Sequence, residues 1–358
     1  METAGKKDLQ KENMFLTLIL WVLLCVGCTV WMLFAASRKT IVISDTQSQE
    51  REILTENGLQ DNAAERYEMS FREEPGREKS FSIPLGKEIR AEDVIVENRY
   101  QDRELWIYIQ NGEAHLYGEN TVVGDVAPIV SGYCERKKDG VILKMQLEEV
   151  LEYRTVMEDN TMVVTYESPK EVYDHIVVID PAWGGEETGT VMRGYAEKTL
   201  TLQIAQYLPK MLEEQDIRIY FTRQEDTTVS EEDRLALIDR VDADLYIRIS
   251  GEADARDTSR YGISAFYNES FYIPGFGNVQ LADVLTRSVT VASGNRAEGV
   301  FAAKEDSILQ KISIPAAQIN VGYLTHPKEG ELLGRAEYRE KLAQGIADAI
   351  TEVCTDEQ

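Results

Sequence analysis

Residues 175–185 read His-Ile-Val-Val-Ile-Asp-Pro-Ala-Trp-Gly-Gly. The β-branched residues Ile176 to Ile179 run without polar interruption into Asp180-Pro181. A continuous apolar run of this kind is the mark of a strand buried on both faces, as in a parallel sheet covered by helices. The chain beyond it alternates helix and strand patterns. After Glu197, the residues Leu200, Ile204, Leu208 and Met211 share one helical face. A second strand, Ile217 to Phe221, ends at Thr222-Arg223. A helix is predicted over Glu231–Val241 and a third strand over Asp244–Ser250. A helix near Val279–Ser293, a strand over Ala316–Val321 and a closing amphipathic helix over Tyr338–Val353 complete the series. Strands alternating with helices over 171–358 predict an α/β domain. Its sheet should be mixed, mainly parallel, and flanked by helices.

Upstream the period changes. Leu105–Ile109, Val141–Met145 and Met162–Tyr166 are successive short apolar runs, with Asn111-Gly112 and Asp139-Gly140 as turn signals between them. Residues 81–170 therefore predict a small, antiparallel β domain. Residues 38–80 are polar with little periodicity and predict a linker. Met14 to Ser37 is a run of 24 residues without a formal charge. As a helix it would be about 36 Å long, enough for a hydrocarbon core of about 30 Å. It exceeds the apolar core of a cleaved signal peptide, and it continues straight to Arg38-Lys39. It predicts one N-terminal transmembrane helix. Lys6, Lys7 and Lys11 lean residues 1–13 toward a short cytoplasmic tail, with the body beyond the membrane. Cys25 and Cys28 have redox spacing but fall inside the apolar run. Cys134 and Cys354 lie in different segments, and their sequence positions do not say whether they pair.

Asp plus Glu number 63 against 38 Lys plus Arg, a formal charge of -25. A phosphate backbone selects for basic surfaces, so this balance speaks against nucleic acid as a partner. The charge between residues 1 and 37 cancels, which puts the whole excess on the body. The chain has three histidines, His115, His175 and His326, which limits any metal site built on imidazole.

Asp180-Pro181, Gly184-Gly185, Glu197-Lys198, Thr222-Arg223, Arg234, Ala243-Asp244 and Pro315…Gly322-Tyr323-Leu324 occur in an order and spacing that resemble the zinc-dependent N-acetylmuramoyl-L-alanine amidases of bacterial cell walls. The resemblance covers about half the chain. It implies a zinc ion held by two histidines and a glutamate, with a second glutamate as general base. Such a zinc leaves one position for water and lowers its pKa to about 7, and the carboxylate takes the proton as that water attacks the amide.

This sequence departs from that pattern at three of four positions. Trp183 stands in the first histidine slot, Ser250 in the second, and Asn320 in that of the base; Glu197 alone is retained. An indole nitrogen only donates, a neutral hydroxyl is a poor zinc ligand, and an amide takes up no proton at pH 7. No catalytic residue, metal ligand set or cofactor is therefore expected. The bland alternatives are that Trp183 packs into a former pocket, that Glu197 is a dipole-favoured helix start, and that His326 is a loop residue before Pro327. No Gly-x-Ser-x-Gly elbow surrounds Ser250. Arg248 is unusual in a central strand, and its alternation with Ser250 predicts an ion pair with Glu197 in place of the metal. Arg223, Arg248, Glu197 and Asn320 form the expected groove. The resemblance then implies an inactive amidase homologue anchored in the bacterial membrane, binding peptidoglycan or a protein partner at the wall. Two alternatives stay open. One is an active amidase with zinc at a rebuilt site, for which His326 is the available recruit; the other is a structural subunit of a membrane complex.

Overall fold

The computed structural model describes residues 40–41, 43–44 and 66–355. The apolar run 14–37 and the short tail before it lie outside the described residues. Among the described residues no helix is long and apolar enough to cross a membrane. The chain divides into two compact units.

The first unit contains residues up to Asn98, with Glu104–Leu147 and Tyr153–Tyr166. It holds two six-stranded sheets. Glu104–Gln110, Gly140–Leu147 and Ile129–Lys137 pair antiparallel, with Leu143 opposite both Ile107 and Cys134. Leu105, Ile107, Ile109, Val141, Leu143 and Met145 alternate into its core. The polar stretch expected as a linker over 38–80 contributes strands here. Arg66–Glu68 pairs with Ile129–Lys137, and Ser70–Glu73 pairs in parallel with Thr121–Gly124. These strands are short, and Met69 between them is the residue that carries them inward.

The second unit contains Glu167 onward together with Arg99–Arg103 and Glu148–Glu152. Its sheet strands are β1 His175–Pro181, β2 Ile217–Phe221, β3 Leu245–Glu252, β4 Ile263–Tyr267, β5 Ala297–Ala302 and β6 Ala316–Tyr323, in the order β2-β1-β3-β6-β4-β5. The first four of that order run parallel; β4 is antiparallel to β6, and β5 is parallel to β4. The larger helices are α1 Glu197–Ala205, α2 Glu231–Arg240, α3 Asn278–Ser293, α4 Pro327–Leu333 and α5 Ala336–Thr355. Ser230 caps α2, its hydroxyl accepting from the Asp233 amide, with three acids in the first turn.

One sheet face carries Val177, Ile179, Ile247, Ile249 and Ile319 against α1, α3 and α5. The other carries Ile176, Val178, Tyr220 and Tyr246 against Leu237 and Ile238 of α2. Since α1 and α2 cover opposite faces, the connections diverge between β1 and β3. A crevice at the carboxyl ends of strands is where open α/β sheets place their ligands. The positions singled out in the sequence gather there.

Candidate functional site

Asp180, at the end of β1, is fully buried and is the hub beneath the crevice. Its Oδ1 accepts from the Thr222 hydroxyl at 2.6 Å and from Arg234; its Oδ2 accepts from the Tyr246 hydroxyl at 2.6 Å and from Arg248. The Arg248–Glu197 ion pair expected from alternation is not what forms. Arg248 lies directly across from Asp180 in the β1–β3 register, which delivers its guanidinium to that carboxylate instead. Burial, then the nearby Arg248 charge, pulls the Arg234 guanidinium down to about 10. Burial pushes the Tyr246 hydroxyl up, so it stays a proton donor to Asp180.

Arg223, expected in the groove, is instead a buried clamp. Its guanidinium donates to the carbonyls of Pro181 (3.0 Å), Ala182 (3.0 Å), Lys198 (2.8 Å) and Glu225 (3.1 Å). Burial lowers its pKa to about 10. These bonds tie the loop after β1 to the start of α1. Gly184 and Gly185 complete that loop with φ of +141° and +56°, and a Cβ at Gly184 would stand 2.1 Å from the Thr227 carbonyl. Only glycine fits there.

Trp183, in the slot of the first family histidine, is not buried as packing. It sits in the left-handed region at φ +65° and is 36% exposed. Its indole lies against Gly189, beside Oε2 of Glu197. A bulky residue in this conformation is strained by about 1–2 kcal/mol. The tight Gly-Gly turn is what sets the loop's path through this conformation.

Glu197 opens α1 as expected, and it is buried. Its Oε1 accepts from the Ser250 hydroxyl and the Gly251 amide, both at 2.8 Å; its Oε2 accepts from the Thr190 amide at 3.0 Å. Neutral donors thus occupy the one carboxylate left from the family's ligand pattern. Asn320, in the position of the base, is also buried. Its Oδ1 accepts from Gln318 at 2.8 Å, and its Nδ2 donates to Oε2 of Glu252 at 2.7 Å. Glu252 was not singled out in the sequence, although its place two residues beyond Ser250 was a usable signal. A carboxylate does stand at this end of the sheet, carried by β3 rather than β6.

His326 caps α4: its Nδ1 accepts from the Glu329 amide at 3.2 Å, and its ring stacks on Tyr261. His175 starts β1, and His115 lies in the first unit. Among the described residues no three His, Cys, Asp or Glu side chains come together as a metal-ligand set. The residues at the mouth do not fit zinc. One offers an indole, one a hydroxyl already donating to Glu197, and the remaining carboxylate takes three hydrogen bonds.

The fold and its strand-end mouth define an amidase-like α/β domain. Residues 177–352 match the N-acetylmuramoyl-L-alanine amidase family. The germination-specific N-acetylmuramoyl-L-alanine amidase of Bacillus subtilis is 28% identical over 198 residues, covering 51% of this chain and 80% of that protein. The putative N-acetylmuramoyl-L-alanine amidase YrvJ of the same organism is 31% identical over 175 residues, 49% of this chain and 32% of that one. A crystal structure of an N-acetylmuramoyl-L-alanine amidase from Clostridium difficile is 28% identical with a TM-score of 0.48, covering 51% of this chain and 98% of that one. Residues 177–352 are thus a cell-wall amidase-family segment.

Proposed function

We propose that this amidase-family domain binds at the bacterial cell wall without hydrolysing it, taking peptidoglycan or a wall protein as partner and held at the membrane by residues 14–37. The observation that carries this reading is the state of Glu197. A zinc-ligating carboxylate must offer lone pairs to the metal. Here Ser250, Gly251 and Thr190 already donate to three of the roughly four lone-pair sites of Glu197, and among the described residues no metal-ligand set stands beside it. The base position holds an amide whose oxygen and nitrogen are both engaged. The family's ligand positions 183 and 250 carry no imidazole, and Glu252, the carboxylate beside the base position, is itself engaged by Asn320.

The test uses the purified full chain. Zinc content is measured by mass spectrometry after equilibration with excess zinc, and peptide release is measured on purified sacculi. The expected outcome is substoichiometric zinc, no release, and co-sedimentation with sacculi or a wall protein. One bound zinc per chain with peptide release above the Glu197→Gln variant would overturn the reading. Restoring two ligands by Trp183→His with Ser250→His should raise zinc uptake, because Glu197 then loses its Ser250 donor and regains imidazole neighbours.

A further inference from the structure

Beside the mouth, Val191–Met192 and Tyr195–Ala196 form a small antiparallel hairpin. Arg193 and Gly194 turn it, with φ of +55° and +83°. Positive φ at both central residues is the type I′ pattern that matches strand twist. Its side chains face outward. Val191 is 59% exposed, Met192 37% and Tyr195 41%, and the flanking Trp183 and Leu332 are each 36% exposed.

The hairpin is held in place rather than trailing. Tyr195 lies on Gly334, where a Cβ would stand 2.7 Å from its ring, and the Arg193 guanidinium lies over Gly330, 3.3 Å from a Cβ there. Trp183 lies on Gly189 at the other end. Gly330 and Gly334 thus admit the hairpin and Gly189 admits Trp183, and the hairpin's apolar side chains stand preorganised in solvent. Contiguous exposed apolar residues of this sort mark interaction sites.

Charge narrows the partner. The hairpin's one charged side chain is Arg193, in a chain where acids outnumber bases 63 to 38, with Glu186, Glu187 and Glu331 at the margins of the patch. Arg193 makes no ion pair among the described residues. We propose that this hairpin, with Trp183 and Leu332, is a docking surface for a protein segment that presents apolar side chains and a carboxylate. Docking would bear directly on the mouth, since the Thr190 amide donates to Glu197 and the Glu197 amide to the Thr190 carbonyl. Such docking does not require that the mouth turn over substrate, nor that it fail to.

The test titrates the full chain, in neutral-lipid nanodiscs at physiological ionic strength, with labelled synthetic peptides of about a dozen alternating residues. One alternates Leu and Glu, the other Leu and Lys. The overall charge of -25 favours the Lys peptide. Exposed charges are screened beyond about 8 Å, so the local Arg193 should prevail. The expected result is tighter binding of the Leu/Glu peptide, by about fivefold, with the preference reversed by Arg193→Glu. The combined Val191→Ser, Met192→Ser, Tyr195→Ser variant should lose binding while its circular dichroism is retained. Equal binding of both peptides, or unchanged binding by that variant, overturns the proposal. So does hairpin-dependent self-association or vesicle binding without peptide binding. Zinc content and sacculus hydrolysis, which test the mouth, are independent of every one of these outcomes.

Discussion

Asn320→Glu restores the family's base residue and should damage the protein at neutral pH. The Asn320 amide nitrogen lies 2.7 Å from Oε2 of Glu252, and Asn320 is buried. The substitution replaces that donor by a second carboxylate. At a separation of about 3 Å and an effective dielectric of about 20, the repulsion would reach about 5 kcal/mol. The pair has a cheaper course, which is to keep one proton. Holding a carboxyl of ordinary pKa near 4.3 protonated at pH 7 costs about 3.5 kcal/mol, which caps the loss. Glu252 keeps solvent on one side, so the expected destabilisation at pH 7 is about 2–3 kcal/mol. The sign follows from linkage. The shared proton raises the folded-state pKa of the pair, so the variant recovers stability as pH falls below that value and loses it as pH rises. Urea denaturation of wild type and variant between pH 4 and pH 8 measures the difference at each pH. Adding Glu252→Gln to Asn320→Glu should remove most of the deficit. A single variant as stable as wild type at pH 7, or a deficit that does not shrink on acidification, would show that Asn320 and Glu252 are not the coupled pair described.

Two further predictions rest on the same half of the chain. At Trp183, Trp183→Gly should be more stable than Trp183→Ala by about 1 kcal/mol, because glycine alone relieves the left-handed backbone; thermal denaturation that ranks alanine above glycine would refute the strain. Glu329 is buried, and desolvation raises its pKa although it accepts from the Tyr323 and Gly262 amides and from Asn295. A raised folded-state pKa gives stability that is present at low pH and lost as pH rises through it. Wild type should therefore gain on Glu329→Gln as pH is lowered from 7 toward 5, and a gap that instead widens toward alkaline pH would contradict this.

Much of the second unit was legible because its strands are buried on both faces. Ile176–Ile179 carries that pattern without interruption, and Ile217–Phe221 carries it around Arg218. The antiparallel β4 and the outer β5 were not read. β4 is five residues long, and β5 is the outermost strand, with most of its residues partly or fully exposed and Gly299 inside it. Such a strand offers no alternation to detect. The strands within 66–73 are short, with two acids and two bases among eight residues, and escaped likewise. At the site, the identity of the replaced residues was legible and their partners were not. Whether Arg248 meets Asp180 or Glu197 depends on the β1–β3 register, a non-local quantity that hydrophobic pattern alone does not determine. The outward placement of Trp183 depends on the Gly184-Gly185 turn, whose φ values determine the loop's path.

The replaced residues are best understood as one coupled change. A buried carboxylate deprived of a cation is costly unless donors replace it. Glu197 stands at the start of α1, and the hydroxyl of Ser250 with the Gly251 and Thr190 amides supplies its donors. A bulky imidazole at position 250 would displace that hydroxyl and return Glu197 to need. Likewise, Asn320 is tolerated because Glu252 accepts from it, and Glu252 is tolerated because Asn320 donates. A histidine at 250 or a glutamate at 320 would therefore break a hydrogen bond that the present residue makes, whereas the Trp183 indole makes no such bond among the described residues.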